Sequence, residues 1–182
     1  MPTVHGPLPP SAPDALKVIA CACNKSVAQK TKDQDLTCTQ LGTKKHSCCE
    51  KAIRDHKKTK KPPRLGGERG FERDGTPLKK PRWVLAKSGK LPAKSVWPDA
   101  CSTDAKGNPT KFYDFKFRCP KGTKTKQQPN GKWLKKGGSR KQPTWTTYDD
   151  GETQDQRIKE VGAAQNPPVT KDPEIVDTSN CP

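Results

Sequence analysis

Apolar residues are few in this chain, and their spacing decides what can fold. The first periodic segment is TKKHSCCEKAIRDHKK, residues 43–58. It sets Cys49, Ile53 and His56 on one stripe with Ala52 beside it, the spacing of an amphipathic helix. Farther on, the pattern changes. KSVWPDACS (94–102) and TKFYDFKFR (110–118) flank TDAKGNP (103–109), whose Gly107-Asn108-Pro109 is strong turn chemistry. These segments predict a β-hairpin. RWVLAK (82–87) is a short apolar run predicted as another strand, and TWTTY (144–148) as a last one. DDGETQDQRIKEVG (149–162) predicts a short helix with acidic residues near its start. The order of helix, strands, then strand and helix predicts an α/β or α+β core.

Alternation along the second hairpin strand puts Asp114 and Lys116 on one face and Tyr113, Phe115 and Phe117 on the other. A two-residue turn at Lys106-Gly107 sets Asp99 opposite Asp114, with Cβ atoms ~4.5–5.5 Å apart. A turn at Gly107-Asn108 shifts that register. In the first register one polar face carries Asp99, Asp114 and Lys116. Two like charges side by side destabilise a strand pair. A lysine offsets part of this, and a divalent cation offsets more. Mg²⁺ takes one or two carboxylates and completes its shell with waters and phosphate oxygens. Phosphodiester hydrolysis is the chemistry that such a set serves.

Composition narrows the partners. Hydrophobic residues make up 29% of the 182, and the mean hydropathy is −1.05, so the core is small. Nineteen prolines and fourteen glycines predict long irregular connections. The formal charge of +17, from 36 basic and 19 acidic residues, favours a polyanionic partner. No run reaches the roughly 18 apolar residues of a spanning helix, so no membrane partner is expected. MPTVHGPLPPSAPDALK has neither the charged region nor the apolar region of a signal peptide. Residues 1–16 read as an extended Pro-rich leader, 17–162 as the domain, and 163–182 as a loosely attached Pro-rich tail. The basic Pro/Gly-rich loop 57–82 reads as a solvated connector for most of its lysines, with a phosphate-contacting arm as the functional alternative.

Eight cysteines in a chain with so little core favour disulfides, with free thiols and zinc as alternatives. Spacing does not give the pairing. Cys21, Cys23, His46, Cys48 and Cys49 are the candidate zinc ligands, although CAC and HSCC are tighter than usual zinc spacers. His46 reads as a surface or metal-site residue and not as catalytic. Trp133 and Trp145 are candidates for stacking on bases or for the core.

Asp-x-Lys alone is a weak signal, since it also occurs at Asp55-His56-Lys57 and Asp104-Ala105-Lys106. Only Asp114-Phe115-Lys116 lies in an apolar strand with a Pro-Asp on the partner strand. WPDACSTDAKGNPTKFYDFK thereby resembles the PD-(D/E)xK nuclease motif of the restriction-endonuclease-like fold, a small mixed sheet flanked by helices. The resemblance spans roughly residues 45–160. It implies Asp99 and Asp114 as ligands of Mg²⁺ or Mn²⁺, with the Phe115 backbone carbonyl, and Lys116 as the catalytic lysine. It further implies an acid on the preceding helix, matched by Glu50, and a glutamine on the following one, matched by Gln154 or Gln156. The chain is similar to the C-terminal toxin domains of bacterial polymorphic toxins, such as type VI secretion effectors. From that likeness follow DNA as substrate, with RNA as the alternative, and a larger carrier. An acidic immunity protein and action in the target-cell cytoplasm follow too. A non-catalytic basic nucleic-acid-binding module, stapled by disulfides or zinc, is the reading from another class.

Overall fold

The computed structural model describes residues 7–30, 36–80, 82–89, 92–120, 123–135 and 144–181. In chain order the elements are α1 (Ala12–Lys30), α2 (Cys38–Lys58), β1 (Leu65–Gly66), α3 (Arg82–Lys87), β2 (Ala100–Thr103) and β3 (Pro109–Lys116). Then follow β4 (Lys124–Gln127), β5 (Trp133–Lys135), α4 (Gln154–Ala163) and β6 (Glu174–Asp177). The fold is mixed α+β. A four-stranded sheet runs in the order β1-β2-β3-β6, and β4 and β5 form a separate two-stranded ribbon.

Of the leader expected over residues 1–16, Ala12 onward is helix α1, and residues 1–6 lie outside the described residues. Ala12, Ala15, Leu16, Ile19, Ala20 and Cys23 recur at helical spacing and pack into the first core cluster. Pro13 sits in the first turn, where a missing N–H costs least, and Pro7, Pro9 and Pro10 precede the helix. The Ser11 carbonyl already accepts from the Ala15 N–H at 3.0 Å. Helix α2 opens with a capping box. The Thr37 hydroxyl accepts from the Gln40 N–H at 3.2 Å, and the Gln40 side chain accepts from the Thr37 N–H at 2.9 Å. Its inner face buries Leu41, Lys45, Cys49 and Ile53.

Strand β3 is the centre of the sheet. It pairs antiparallel with β2 and parallel with β6, where Asp114 faces Ile175 and Lys116 faces Asp177. Alternation sorts its side chains to two cores. Tyr113 and Phe115 join Ala100 and Val176 under α1 and α2. Phe112 and Cys101 join Ile158 and Val161 of α4, together with Phe71, Val96 and Val169. Helices therefore cover both faces of the sheet.

Several expectations change. RWVLAK forms the short helix α3 and not a strand. TWTTY forms no strand. Thr147 bridges Thr153 across a turn closed by Tyr148 N–H to Glu152 at 2.8 Å. The loop 57–82 is no solvated connector throughout, because Leu65 and Phe71 are buried in the two cores. The Pro-rich tail is not loose. It supplies β6, and Cys181 bridges back to Cys21 on α1.

Two further disulfides, Cys23–Cys48 and Cys38–Cys119, tie α1 to α2 and the start of α2 to the chain leaving β3. Cys49 and Cys101 are free and buried. Three of the five candidate zinc ligands, Cys21, Cys23 and Cys48, are thus spent in bridges. Among the described residues no helix is long and apolar enough to cross a membrane.

Candidate active site

The hairpin keeps the expected register. Ala100 faces Tyr113, Cys101 faces Phe112 and Ser102 faces Lys111. One step outward, that register brings Asp99 to Asp114. The turn differs from the expected two residues. Asp104 and Asn108 close a longer loop, with backbone bonds of 3.0 Å from Asp104 N–H and 3.2 Å from Gly107 N–H. An irregularity between Ser102 and Thr103 absorbs the difference.

Asp99 is fixed at both oxygens. Oδ2 accepts from the Phe115 N–H at 2.7 Å, and Oδ1 lies 3.0 Å from His46 Nδ1 on α2. Asp114 is 3% exposed. Its Oδ1 accepts from Gln154 Nε2 at 2.8 Å. Lys116 Nζ donates to Gln154 Oε1 at 3.0 Å and stands 2.7 Å from Asp114 Oδ2. That last contact is an ion pair out of line for a hydrogen bond, so buried Oδ2 has no aligned donor. One glutamine at the first turn of α4 thus holds both the aspartate and the lysine.

These groups open onto a cleft of about 820 Å³. Glu50 of α2 and Glu68, just after β1, line it with Asp99 and Asp114. Four carboxylates in one cleft contrast with the +17 of the chain. The electrostatics follow. Burial, then the charge on Asp99, push the Asp114 carboxyl up to about 6. Burial, then Asp99 and Glu50, also raise Glu68. Burial opposes charge on His46, but its bond to Asp99 and the charges of Asp99 and Asp114 outweigh that, so its pKa is raised. Burial and the Asp99 charge raise the Cys49 thiol, which leaves it a poor nucleophile.

Among the described residues no three His, Cys, Asp or Glu side chains stand as a ready metal cluster. Two carboxylates with carbonyl and water oxygens are nonetheless the donor set that a Mg²⁺-sized cation takes. The unaligned, buried Asp114 Oδ2 fits such a ligand.

Of the residues expected from sequence, Asp99, Asp114, Lys116, Glu50 and Gln154 share the cleft, and Phe115 borders it. Gln156 does not. It is exposed, and its side chain caps α4 by accepting from the Thr153 N–H at 2.7 Å. Glu50 carries only a loose 3.9 Å pair with Arg54. Sequence reasoning missed Glu68, Trp97, Tyr148 and the contact of His46. Glu68 follows a glycine pair in a basic loop, a weak signal for an acid that must approach other acids. Trp145 packs against the second core, and the Trp133 side chain lies outside the described residues.

Neither a protein-family model nor a curated protein nor a solved structure matches the chain.

Proposed function

We propose that this chain is a metal-dependent nuclease that hydrolyses DNA phosphodiester bonds, with a site of the PD-(D/E)xK kind on a restriction-endonuclease-like core. The observation that carries the reading is the single constellation of Asp99, Asp114, Lys116 and Gln154 at one mouth of the cleft. Asp99, Asp114 and the Phe115 carbonyl would hold Mg²⁺ or Mn²⁺. When bound, that ion supplies phosphate polarisation and a more acidic water. The chain's own residues do the rest. Lys116 sets a positive charge where negative charge develops on the phosphate. Gln154 keeps that ammonium and the Asp114 carboxylate in register. His46 and the Phe115 N–H hold Asp99 in one rotamer. The surplus of basic residues supplies sequence-independent grip on the phosphate backbone.

A small basic nuclease of this kind suits a toxin domain carried by a larger secreted protein. It would act in the target-cell cytoplasm, with an acidic immunity protein complementary to the surface charge. RNA in place of DNA uses the same chemistry.

The test is supercoiled plasmid and, separately, total RNA, each with Mg²⁺ or EDTA, beside Asp114→Asn and Lys116→Ala. The expected result is degradation of plasmid by the parent with Mg²⁺ only, and a loss of about 100-fold or more in each variant. Degradation of RNA alone reassigns the substrate. Both nucleic acids retarded on a gel but intact would leave only the non-catalytic binding module.

A further inference from the structure

Two aromatic rings line the cleft, each already covered on one face. Trp97 follows the strand segment of Val96, and its indole N–H donates to Ser95 Oγ at 2.9 Å. A Cβ built on Gly70 would stand 2.3, 2.4 and 2.6 Å from Cη2, Cζ3 and Cζ2 of that indole. Such nearly equal distances place it over the ring and not beyond its edge. The Gly70 backbone therefore backs one face of Trp97, and only glycine allows it. Tyr148 is backed in the same manner. The Arg157 guanidinium carbon lies 3.7 Å from its ring centroid. That guanidinium is locked by Glu152 at 2.8 Å and Asp150 at 2.6 Å. Both rings are half-buried and both line the cleft with Asp114 and Lys116.

Helix α2 lines the same cleft with Thr39, Gly42, Thr43, His46, Ser47 and Glu50. Beside His46 and Glu50 it offers the hydroxyls of Thr39, Thr43 and Ser47, and nothing stands within 4 Å of a Cβ built on Gly42. The cleft therefore offers flat apolar faces together with small polar groups. A duplex hides the faces of its bases in its own stack. An unpaired strand exposes them beside its phosphates.

We infer that Trp97 and Tyr148 are stacking platforms for unpaired bases, and that the ligand of the cleft is a single strand of nucleic acid in preference to a duplex. The inference rests on the nuclease reading for the identity of the polyanion, and on the two backed rings for the single strand. Each ring is immobilised before binding, so stacking requires little further ordering. Substrate phosphates then lie between the rings and the hydroxyls of α2, within reach of Lys116.

The probe is an unstructured pyrimidine oligonucleotide, compared with the same sequence in a duplex. Binding is read by fluorescence anisotropy with Ca²⁺ in place of Mg²⁺, and cleavage separately with Mg²⁺. The parent should bind the single strand at least about 10-fold more tightly. Trp97→Ala should weaken that binding by about 5- to 150-fold, the range of one lost stack, and weaken duplex binding less. Trp97→Phe should recover most of it. Photocrosslinking of the unaltered chain to a 5-iodouracil-substituted strand needs no variant, and the adduct should map to Trp97 or Tyr148. Equal binding of strand and duplex with no crosslink at either ring overturns the inference, and cleavage of plasmid would still uphold the nuclease reading. Preferential binding with a crosslink at Trp97 but no cleavage of any substrate upholds the platforms and removes the nuclease.

Discussion

At the scale of the residue, Asp114 stores the tension of the site. Burial and Asp99 raise its carboxyl to about 6 from an ordinary value near 3.8, so the folded state holds this proton more tightly than the unfolded chain does. The stability that the neutral form contributes is complete below the ordinary value and is lost as pH rises through about 6. His46, also raised, contributes with the same sign: its protonated form faces both aspartates, so its contribution is complete below its ordinary value and is lost as pH rises above it. Asp114→Asn removes the buried charge. In EDTA, the variant should melt a few degrees above the parent near pH 7.5, and the gap should close toward pH 4, while its cleavage is lost. A gap that stays constant between pH 4 and pH 8 would show that Asp114 carries no such strain. The aspartates and lysine were legible in the sequence because strand alternation and a short turn leave few registers. Glu68 and Trp97 were not, since loop geometry alone brings them to the cleft.

At the scale of the element, the hairpin turn deserves its own test. Asp104 Oδ1 accepts from the N–H of Lys106 at 2.8 Å and of Asn108 at 2.9 Å, and Oδ2 accepts from the Asn108 side chain at 2.9 Å. Those bonds, that of the Asn108 side chain foremost, lower the Asp104 carboxyl. Asp104→Ala should lower the melting temperature by a few degrees in thermal denaturation. Cleavage well below the melting point should stay near the parent rate, because the parallel pairing with β6 also fixes β3. A large loss of cleavage in a folded variant would mean that the turn alone sets the register. The helices tell the opposite story about legibility. α2 and α4 announce themselves by stripe and acidic start, whereas α1 hides behind prolines that sit before and at its first turn. β6 hides because Glu174–Asp177 is only four residues long, and burial against β3 decides its fate more than propensity does.

At the scale of the molecule, three bridges hold a chain with little core. Removing a native disulfide from a small domain costs about 2–5 kcal/mol. Reductant should therefore lower the melting temperature sharply and slow cleavage, because Cys38–Cys119 joins the helix of one cleft wall to the exit of the strand bearing Lys116. Alkylation of the unreduced chain after denaturation should mark Cys49 and Cys101 only. Mass addition at all eight cysteines without reduction would refute the bridges. The even cysteine count pointed to disulfides, but the partners had to await the fold, since Cys21 finds Cys181 across a separation of 160 residues.

The late position of β6 bears on timing. Strand β3 holds the aspartate and lysine, yet its parallel neighbour lies far from it along the chain, beyond β4, β5 and α4. Until residues 174–177 arrive, β3 has an open edge and Cys21 has no Cys181 to meet. Long-range closure of this kind is slow. The strand that carries Asp114 and Lys116 is therefore fully framed only once that distant segment has docked.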